Sequence, residues 1–397
     1  MKILTLSTYP IADPKHGGQH RLANIARLLQ EAGHSLESAG VLGSASYPVT
    51  EGFVSCPDID SLKVYIDDPL MMDDWAIGEL FAKNDHYFNL LADSIKLVPD
   101  FIHVEQPWLF QFAVRYRVER GSKHIAIAYG SQNIECELKF DILKRYIGLA
   151  AAENGKNKVL ACELAALKQA DIVFCVSEQD QEWCKKKTSS KVVLAQNGVR
   201  DVVVNLDDIR AANTITGHKK FALYCASAHP PNINGFFDSF STGVGCFSPN
   251  EHIVVAGGAG QYIVSDPRFD KAAGLRNAYI GAGTVSDGCL RGLLHTAHAI
   301  VLPISHGGGT NLKTAEAVWA GKHVVATSKA MRGFEQFESS PGICVQSSST
   351  SFCAMLRDAM HKPPLALVSS DIERRRKVLW EQTLSDLVLA TTNSETK

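Results

Sequence analysis

A run of three glycines that precedes a lysine and a glutamate is the segment with the clearest chemical potential. It reads SHGGGTNLKTAE at residues 305–316 and follows the apolar run Ala299–Pro303. A glycine turn before a helix, here predicted over Thr310–Ala320, offers free backbone N–H groups and the positive end of the helix dipole. Lys313 and Glu316 share a helix face because they are three residues apart. The pattern suits a diphosphate neutralised by Lys313, with Glu316 accepting hydrogen bonds from a ribose. The alternative is a plain turn with a surface ion pair.

A second glycine pair lies between a predicted first strand and a predicted first helix. Gly17 and Gly18 stand in DPKHGGQHR at residues 13–21, after Lys2–Leu6 and before His20–Ala32. This loop could supply another backbone cradle for phosphate, although any strand-to-helix turn can use two glycines. The spacing is not G-x-G-x-x-G, which disfavours a nicotinamide redox enzyme. No G-x-x-x-x-G-K-[ST] supports a P-loop ATPase or kinase either.

The elements that must position these loops alternate between apolar strands and amphipathic helices, which predicts an α/β protein with parallel sheets. Further strand candidates are Phe101–Val104, His124–Tyr129, Ile172–Val176, Phe221–Ala226, Ile253–Ala256, Ala278–Ile280, His323–Thr327 and Ile343–Val345. Polar residues predict a linker over 200–219, and apolar spacing predicts a last helix over Ser370–Val388. Two consecutive Rossmann-like halves follow from this order, and such sheets bind ligands beyond the carboxyl ends of their strands.

Composition narrows the classes of function. A length of 397 residues with 45% apolar and 21% charged residues suits two or three globular domains. The net charge of -2 implies no field strong enough to hold nucleic acid. None of the ten cysteines has C-x-x-C spacing, so we expect reduced core thiols in a cytoplasmic protein rather than a zinc site. We therefore predict no bound metal, and no apolar run reaches the length of a membrane span.

Pieces of the chain resemble GT-B glycosyltransferases, most of all glycosyltransferase family 4, over nearly its whole length. They are GGQHRLANIARLLQEAGH at 17–34, SQNIE at 131–135, ADIVFCVSEQD at 170–180, QNGV at 196–199, ASAHPPNINGF at 226–236, VVAGGAG at 254–260, IGAGTVSD at 280–287 and GGGTNLKTAEAVWAGKHVVAT at 307–327. The resemblance implies two facing Rossmann-like domains with an interdomain cleft and a C-terminal crossover helix. Residues 1–205 would form the acceptor-side domain, to which 370–397 return, and residues 206–369 the donor domain.

The resemblance also implies transfer of a sugar from a nucleotide-diphosphate donor of UDP or GDP type, a co-substrate rather than a cofactor. Lys313 would then bind the diphosphate and Glu316 the ribose. Gln132 stands where related proteins often have a histidine that touches the donor sugar. The remaining donor contacts would come from Gly17, Gly18, Ser227, Gly281, Gly283, Val285, His306, Gly308, Gly309, Thr310 and Asn311.

The acceptor, a hydroxyl of a glycan or of a polyprenyl-linked glycan, would lie near HVEQPW at residues 103–108 and near Glu135. Trp108 could stack on a sugar face. The alternative is a buried aromatic plug, with His103 as a core histidine whose hydrogen bonds are satisfied. The resemblance implies retention of configuration, in which the leaving phosphate can take the acceptor proton. An inverting enzyme would instead need a base such as Glu105, Glu135 or His103.

Two departures from the family concern the leaving group. Many members have a second glutamate eight positions before the one that matches Glu316, and Gly308 stands there in this chain. The Arg and Lys that commonly follow the first strand of the donor domain are absent from SAHPPNIN at residues 227–234. Lys313 would then be the main fixed positive charge, with His229 or Arg332 as helpers. These departures keep open a catalytically silent nucleotide-sugar-binding or scaffold module. A nucleotide-sugar epimerase is disfavoured, since no convincing set of acid and base carboxylates can be placed.

Three basic runs raise the question of a membrane surface. They are Arg115–His124, Lys185–Lys191 and Arg374–Lys377. They predict either solvated faces or attraction to anionic lipid, which would suit a lipid-linked acceptor. With the resemblance, they lead to an expected role in bacterial surface polysaccharide synthesis, in the cytoplasm or on the inner face of the membrane.

Overall fold

Two compact units make up the chain in the computed structural model, which describes residues 1–67, 71–121, 124–240, 243–305, 308–346 and 348–396. The first unit comprises residues 1–196 together with 383–397, and the second comprises residues 197–382. Each unit has its own parallel sheet and its own hydrophobic core. The predicted α/β class with two Rossmann-like sheets is confirmed. The assignment of acceptor and donor roles to residues 1–205 and 206–369 stays a prediction.

The first unit is built on a seven-stranded sheet in the order β3-β2-β1-β4-β5-β6-β7. Its strands are β1 (Lys2–Ser7), β2 (Ser35–Val41), β3 (Phe53–Val54), β4 (Phe101–Glu105), β5 (Ala126–Ser131), β6 (Ile172–Cys175) and β7 (Lys191–Leu194). Its helices up to residue 185 are α1 (Gly17–Glu31), α2 (Ile59–Lys63), α3 (Asp73–Lys83), α4 (Asp85–Ser94), α5 (Phe110–Glu119), α6 (Glu135–Tyr146), α7 (Leu149–Gln169) and α8 (Glu178–Lys185). The order reverses between β1 and β4, where doubly wound sheets bind ligands.

The second unit repeats this plan with six strands in the order β10-β9-β8-β11-β12-β13. Its strands are β8 (Lys220–Cys225), β9 (Glu251–Ala256), β10 (Tyr279–Gly283), β11 (Ala299–Leu302), β12 (His323–Ala326) and β13 (Ile343–Val345). Its helices are α9 (Leu206–Thr216), α10 (Pro230–Phe240), α11 (Ala259–Ser265), α12 (Pro267–Lys271), α13 (Leu275–Ala278), α14 (Asp287–Thr296), α15 (Leu312–Trp319), α16 (Ser349–His361), α17 (Ser369–Arg376) and α18 (Trp380–Thr383). The reversal lies between β8 and β11, so the loops after these two strands are neighbours.

The predicted linker at residues 200–219 is wrong, because most of it forms α9. Asn205 accepts a hydrogen bond from the backbone of Asp208, and the Asp208 side chain accepts one from the Asn205 backbone, so the two residues form a capping box. Asp208 also pairs with Arg291 of α14 at 3.1 Å. The polar composition therefore marks a helix start and an ion pair rather than a loop.

The predicted last helix over Ser370–Val388 is also wrong as a single element. It divides into α17, α18 and a further helix, α19 (Ser385–Thr392), which belongs to the first unit. Between α17 and α18, the Val199 backbone accepts a hydrogen bond from Trp380 and donates one to Val378, and this pairing interrupts the helix. Val378 and Leu379 are buried there, which explains their apolar character.

Three strands are not predicted from the sequence, for physical reasons. β2 carries polar residues such as Glu37, and β3 and β7 have only two and four residues. The predicted strands that are found begin and end within about three residues of their predicted limits. No helix within the described ranges combines the length and the apolar character that crossing a bilayer requires.

Candidate functional site

Lys313 is fixed at the carboxyl edge of the second sheet by an asparagine from another loop. Its Nζ donates to Oδ1 of Asn232 at 2.9 Å. Asn232, on α10, in turn donates from Nδ2 to the backbone carbonyl of Ser227 at 3.0 Å and to its Oγ at 3.1 Å. Ser227 follows β8 and is exposed. The lysine is therefore held over the end of β8, next to the segment that lacks the expected Arg and Lys.

Burial shifts the pKa values of the two titratable groups of α15, Lys313 and Glu316, toward neutral pH. Lys313 and Glu316 are both half-buried. Burial lowers the pKa of Lys313 to about 8, against the opposing effects of Cys225 and Glu316. Burial raises the pKa of Glu316 to about 7, and the negative charge of Asp287 adds to this rise while Lys313 opposes it. Both pKa values thus lie within about one unit of neutral pH, and a ligand of complementary charge would favour the charged form of each group.

The glycine turn before α15 is held from the start of the second unit. Nδ2 of Asn197 donates to Oγ1 of Thr310 at 2.8 Å and to its backbone carbonyl at 3.3 Å. Gly309 has φ 59°, a left-handed conformation that favours glycine. Asn311 is the residue that precedes α15 and caps it without a side-chain hydrogen bond. Gly308 is half-buried, whereas His306 and Gly307 lie outside the described residues.

The loop after β10 lies on the same side of the second sheet. Gly281 and Gly283 are exposed, and Val285 is half-buried. Gly283 has φ 66°, and its carbonyl accepts a 2.6 Å hydrogen bond from the backbone of Gly257. Asp287 begins α14 directly after this loop, and its charge acts on Glu316. The loop with the predicted donor contacts Gly281, Gly283 and Val285 and the predicted ribose-binding glutamate are thus neighbours, while their roles stay predictions.

A buried polar network occupies the corresponding edge of the first sheet. Glu105 is 1% exposed at the end of β4. Its Oε1 accepts from Nε of Arg21 at 2.9 Å and from Nε2 of Gln132 at 2.9 Å. Its Oε2 accepts from Nε2 of His103 at 2.6 Å. Burial alone would raise the pKa of Glu105, but the charge of Arg21 and the hydrogen bonds from His103 and Gln132 hold the pKa below its usual value.

Gly17 and Gly18 form the first residues of α1, directly beside this network. The helix begins after His16 in a capping box with Gln19. A Cβ on Gly18 would lie 3.0 Å from Oη of Tyr9 and 3.1 Å from Oε1 of Gln132. The predicted phosphate loop is therefore packed against the predicted sugar-contacting glutamine within the first unit.

Trp108 is placed as the plug alternative describes, and His103 is a core histidine whose hydrogen bonds are only half satisfied, because its Nδ1 has no partner among the described residues. Trp108 is 2% exposed and belongs to the hydrophobic core of the first unit. His103 is fully buried and stacks on Phe174 with ring centroids 5.7 Å apart. In this conformation neither ring is accessible to a sugar, so the acceptor-side role suggested for Trp108 has no support from its position.

Glu135 is buried at the start of α6. Its Oε1 accepts from Nδ2 of Asn133 at 3.0 Å and from Nε2 of Gln106 at 3.3 Å. Burial raises the pKa of Glu135 to about 7, and nearby Glu163 adds to the rise. Glu163 accepts from the backbone N–H groups of Glu135 and Cys136 at 2.7 and 2.9 Å. The loop that carries Gln132 is thus anchored by two buried carboxyl groups.

Several residues of these networks had no predicted role, among them Tyr9, Arg21, Glu163, Asn197 and Asn232. Arg21 could have been noticed, because it shares a helix face with the apolar Ile25 and Leu28 and is 1% exposed. The two asparagines act through contacts to residues 81 and 113 positions away. No local spacing can reveal such contacts.

The first and third basic runs carry less free charge than their composition suggests. Arg115 pairs with Asp85 and Glu119, and Arg117 lies 3.4 Å from Asp171. Arg376 pairs with Glu373 at 3.2 Å. These pairs support the interpretation as solvated faces.

His16 and His20 are four residues apart, a spacing that can serve a metal. However, no group of three or more His, Cys, Asp or Glu side chains that could hold a metal ion occurs in the part of the chain that the structure describes. Nε2 of His16 lies 3.0 Å from Oη of Tyr47 instead. Metal independence stays a prediction.

The two parallel Rossmann-like sheets, each with its loops at the carboxyl edge, define a GT-B fold, and solved structures share it over the whole chain. Sucrose-phosphate synthase from Thermosynechococcus elongatus matches with a TM-score of 0.69 and 14% identity over 100% of both chains. Anabaena HepE, solved with UDP and glucose, matches with a TM-score of 0.64 and 13% identity, over 99% of this chain and 100% of that one. Starch synthase IV from Arabidopsis thaliana, bound to ADP and acarbose, matches with a TM-score of 0.62 and 11% identity, over 100% and 98%.

No family model and no curated protein matches the sequence. At these identities the similarity shows the fold alone, and the predicted GT-B fold is thereby confirmed.

Proposed function

We propose that this protein is a glycosyltransferase that moves a sugar from a nucleotide-diphosphate donor to a hydroxyl group of a glycan or a lipid-linked acceptor. The observation that carries the proposal is the placement of Lys313 and Glu316. Both are half-buried beyond the carboxyl end of β11, and Lys313 is fixed by Asn232 at 2.9 Å. That two proteins of the same fold were solved with UDP and ADP supports this choice of ligand.

In the proposed reaction, the bond between the sugar anomeric carbon and the diphosphate oxygen breaks, and the bonding electrons stay on the diphosphate. Lys313 and the backbone N–H groups of the turn at residues 308–311 stabilise the charge that develops there. The acceptor oxygen bonds to the anomeric carbon, and its proton passes to the leaving diphosphate. This route retains configuration and needs no protein base. Glu316 holds the ribose hydroxyls while it is ionised.

The finer assignments belong to the same proposal. We propose that the donor is of UDP or GDP type, that no metal ion is required, and that the product serves a bacterial surface polysaccharide. Synthesis on the inner face of the membrane would bring the protein to a polyprenyl-linked acceptor. The paired arginines of residues 115–120 argue against that run as the membrane contact.

The test incubates the protein with a panel of UDP-, GDP- and ADP-sugars, and measures both thermal shift and release of nucleoside diphosphate. We expect one class of nucleotide to raise the melting temperature and to be released slowly in water and faster with acceptor. Lys313→Met should lower release by about 100-fold or more, since removing one stabilising donor costs this much. Lys271→Met, which changes an exposed lysine on α12, is the matched control and should leave release unchanged.

The second candidate is a silent module that binds a nucleotide sugar without transfer. It is favoured by Gly308 in place of a glutamate and by the absence of cations from residues 227–234 apart from His229. The same experiment separates the two, because a silent module would show the thermal shift with no release under any acceptor. Equal rates for wild type and Lys313→Met would instead remove Lys313 from the mechanism.

A further inference from the structure

The side-chain amide of Gln132 uses both of its N–H groups within the first unit. Nε2 donates to Oη of Tyr9 at 2.6 Å and to Oε1 of Glu105 at 2.9 Å. Its carbonyl oxygen Oε1 accepts no hydrogen bond from the residues that the structure describes. Gln132 is half-buried at the start of the loop after β5. The side chain thus offers one unused acceptor at this edge of the sheet.

Chemistry alone determines which way this amide points. Glu105 is buried, bonded to the guanidinium of Arg21, and a carboxylate can only accept hydrogen bonds. If the amide were turned over, its oxygen would face the Glu105 oxygen at 2.9 Å without a proton between them. Such a contact in a buried site would be strongly repulsive. The orientation of Gln132 therefore depends on the charge of Glu105, which Arg21 and His103 maintain.

Gly18 leaves the carbonyl oxygen uncovered. A Cβ at this position would lie 3.1 Å from Oε1 of Gln132 and 3.0 Å from Oη of Tyr9, tighter than most real Cβ contacts. An alanine would therefore shift one of these side chains by a few tenths of an ångström and partly cover the oxygen, whereas glycine leaves both undisturbed.

We propose that Glu105 is a positioning residue that acts through Gln132, so that this edge presents a carbonyl oxygen which takes a hydroxyl group of a sugar. Groups that can only accept hydrogen bonds, such as a carboxylate or a phosphate oxygen, are repelled at this position. This proposal, which rests on the proposed function, replaces the idea of Glu105 as a base, because both of its oxygens are already engaged. The hydroxyl group belongs either to the sugar of the donor or to the acceptor glycan, and the experiment separates these sources.

The first arm tests orientation without any ligand. In amide-selective NMR spectra of the full chain, the two Gln132 side-chain protons, assigned by their loss in Gln132→Leu, should be shifted downfield and slow to exchange. Glu105→Gln should broaden or shift them, because a neutral amide at position 105 can face either end of Gln132. Glu153→Gln, which neutralises an exposed carboxyl group of the first unit, is the control and should leave them unchanged. Rapidly exchanging protons in the wild type would overturn the proposal.

The second arm measures binding by calorimetry with UDP, UDP-glucose and methyl α-glucoside. If none of these ligands binds, the measurement uses the sugar nucleotide and the acceptor found in the release assay. Glu105→Gln should weaken the sugar-bearing ligand by roughly five- to tenfold and leave UDP affinity unchanged, and Gly18→Ala should weaken the sugar-bearing ligand as well. If the donor sugar supplies the hydroxyl, the loss falls on the sugar nucleotide; if the acceptor does, it falls on the KM for the acceptor. Equal losses for UDP and the sugar nucleotide would overturn the proposal.

A third variant tests the same proposal if Glu105→Gln does not fold. Tyr9→Phe removes one acceptor of the Gln132 amide and preserves the ring, so it should give a smaller loss of the same kind. If no nucleotide binds to the wild type while the Gln132 protons are protected, the proposed function fails and the orienting role of Glu105 is upheld by the first arm.

Discussion

At the scale of single residues, burial disfavours the charged forms of both Lys313 and Glu316, although the two groups carry opposite charges. It lowers the pKa of Lys313 to about 8 and raises that of Glu316 to about 7. Among the residues that the structure describes, Lys313 donates to the neutral oxygen of Asn232 and to no carboxylate, and the Glu316 side chain has no hydrogen bond. A diphosphate beside Lys313 and a ribose beside Glu316 would each favour the charged form of its neighbour.

The first prediction is a narrow pH profile for kcat/KM. Below about 7, Glu316 takes up a proton and no longer accepts two ribose hydrogen bonds. Above about 8, Lys313 loses its proton and the charge on the leaving group is no longer stabilised. Activity should therefore be highest between these values in the free enzyme. Lys313→Arg keeps its charge at all these values of pH, so its profile should lose the alkaline limb only. A wild-type profile that is flat from pH 6 to 9 would contradict this account.

The second prediction uses the contact between Asn232 and Lys313. Asn232→Asp places a negative charge 2.9 Å from Nζ and should raise the pKa of Lys313, since an opposite charge favours the charged form. The alkaline limb of kcat/KM should move upward by about one pH unit or more. Asn234→Asp, two residues away beside Arg268, is the matched control. An alkaline limb that moves equally in both variants would show that Lys313 is not its source.

What the sequence can and cannot predict is clearest at this scale. Lys313 and Glu316 are predictable because their chemistry depends on local spacing, a glycine turn and one helical turn. Asn232 and Arg21 are not predictable, because their partners lie 81 and 84 residues away and only the folded sheets bring them together. Trp108 shows the reverse error, since an aromatic ring after a strand is equally suited to a sugar and to a core.

At the scale of elements, α9 and α14 pack so closely that glycine is required between them. A Cβ on Gly292 would lie 1.9 Å from the backbone oxygen of Asp208. A Cβ on Gly288 would lie 2.4 Å from Oδ1 of the same aspartate. α14 directly follows the loop at residues 281–285, so this packing also fixes the loop that carries three of the predicted donor contacts. A region that is polar in sequence thus supports the site by a close helix contact.

The third prediction concerns this contact. Gly292→Ala should destabilise the second unit by about 3 kcal/mol or more, because backbone atoms must move to admit the methyl group. Gly245→Ala has no atom within 4 Å of the added Cβ and should change stability little. Thermal unfolding measures both variants. Similar melting temperatures for the two would show that α9 and α14 can separate without cost.

The fourth prediction concerns the start of α6, where Glu163 accepts two backbone hydrogen bonds. Burial raises the pKa of Glu163 from 4.5 to about 7 in the folded protein. Between these values the unfolded chain has lost its proton while the folded one keeps it, so stability falls as pH rises from about 4.5 to about 7 and then levels off. Relative to Glu163→Gln, the wild type should lose up to about 3 kcal/mol across this window.

Urea unfolding at pH 5, 6, 7 and 8 measures this difference. Glu153→Gln, which changes an exposed carboxyl group on the same helix, should give a difference that does not vary with pH. A constant difference for Glu163→Gln as well would mean that its pKa is ordinary in the folded state.

At the scale of the whole molecule, the sequence predicts the class of fold well, but it predicts poorly where helices and units end. Alternating strands and helices identify both sheets, because parallel strands are apolar throughout and each is followed by an amphipathic helix. The break between α17 and α18 depends on pairing with Val199, which is 180 residues from Leu379. No helical periodicity carries that information. The same holds for the last segment of the chain, residues 383–397, which belongs to the first unit.

The fifth prediction follows from the separate sheets and cores of the two units. If the nucleotide binds where Lys313 and Glu316 lie, then UDP should slow hydrogen exchange at residues 227–232, 281–285 and 308–316, all in the second unit. The central strands β1 and β4 of the first unit serve as an internal control, since they are already buried and should exchange equally slowly with and without UDP. Lys313→Met should abolish the protection at all three segments together, because a ligand that is held through its diphosphate loses all of its contacts at once. Protection that appears in the first unit alone, or that persists in Lys313→Met, would place the nucleotide elsewhere in the fold.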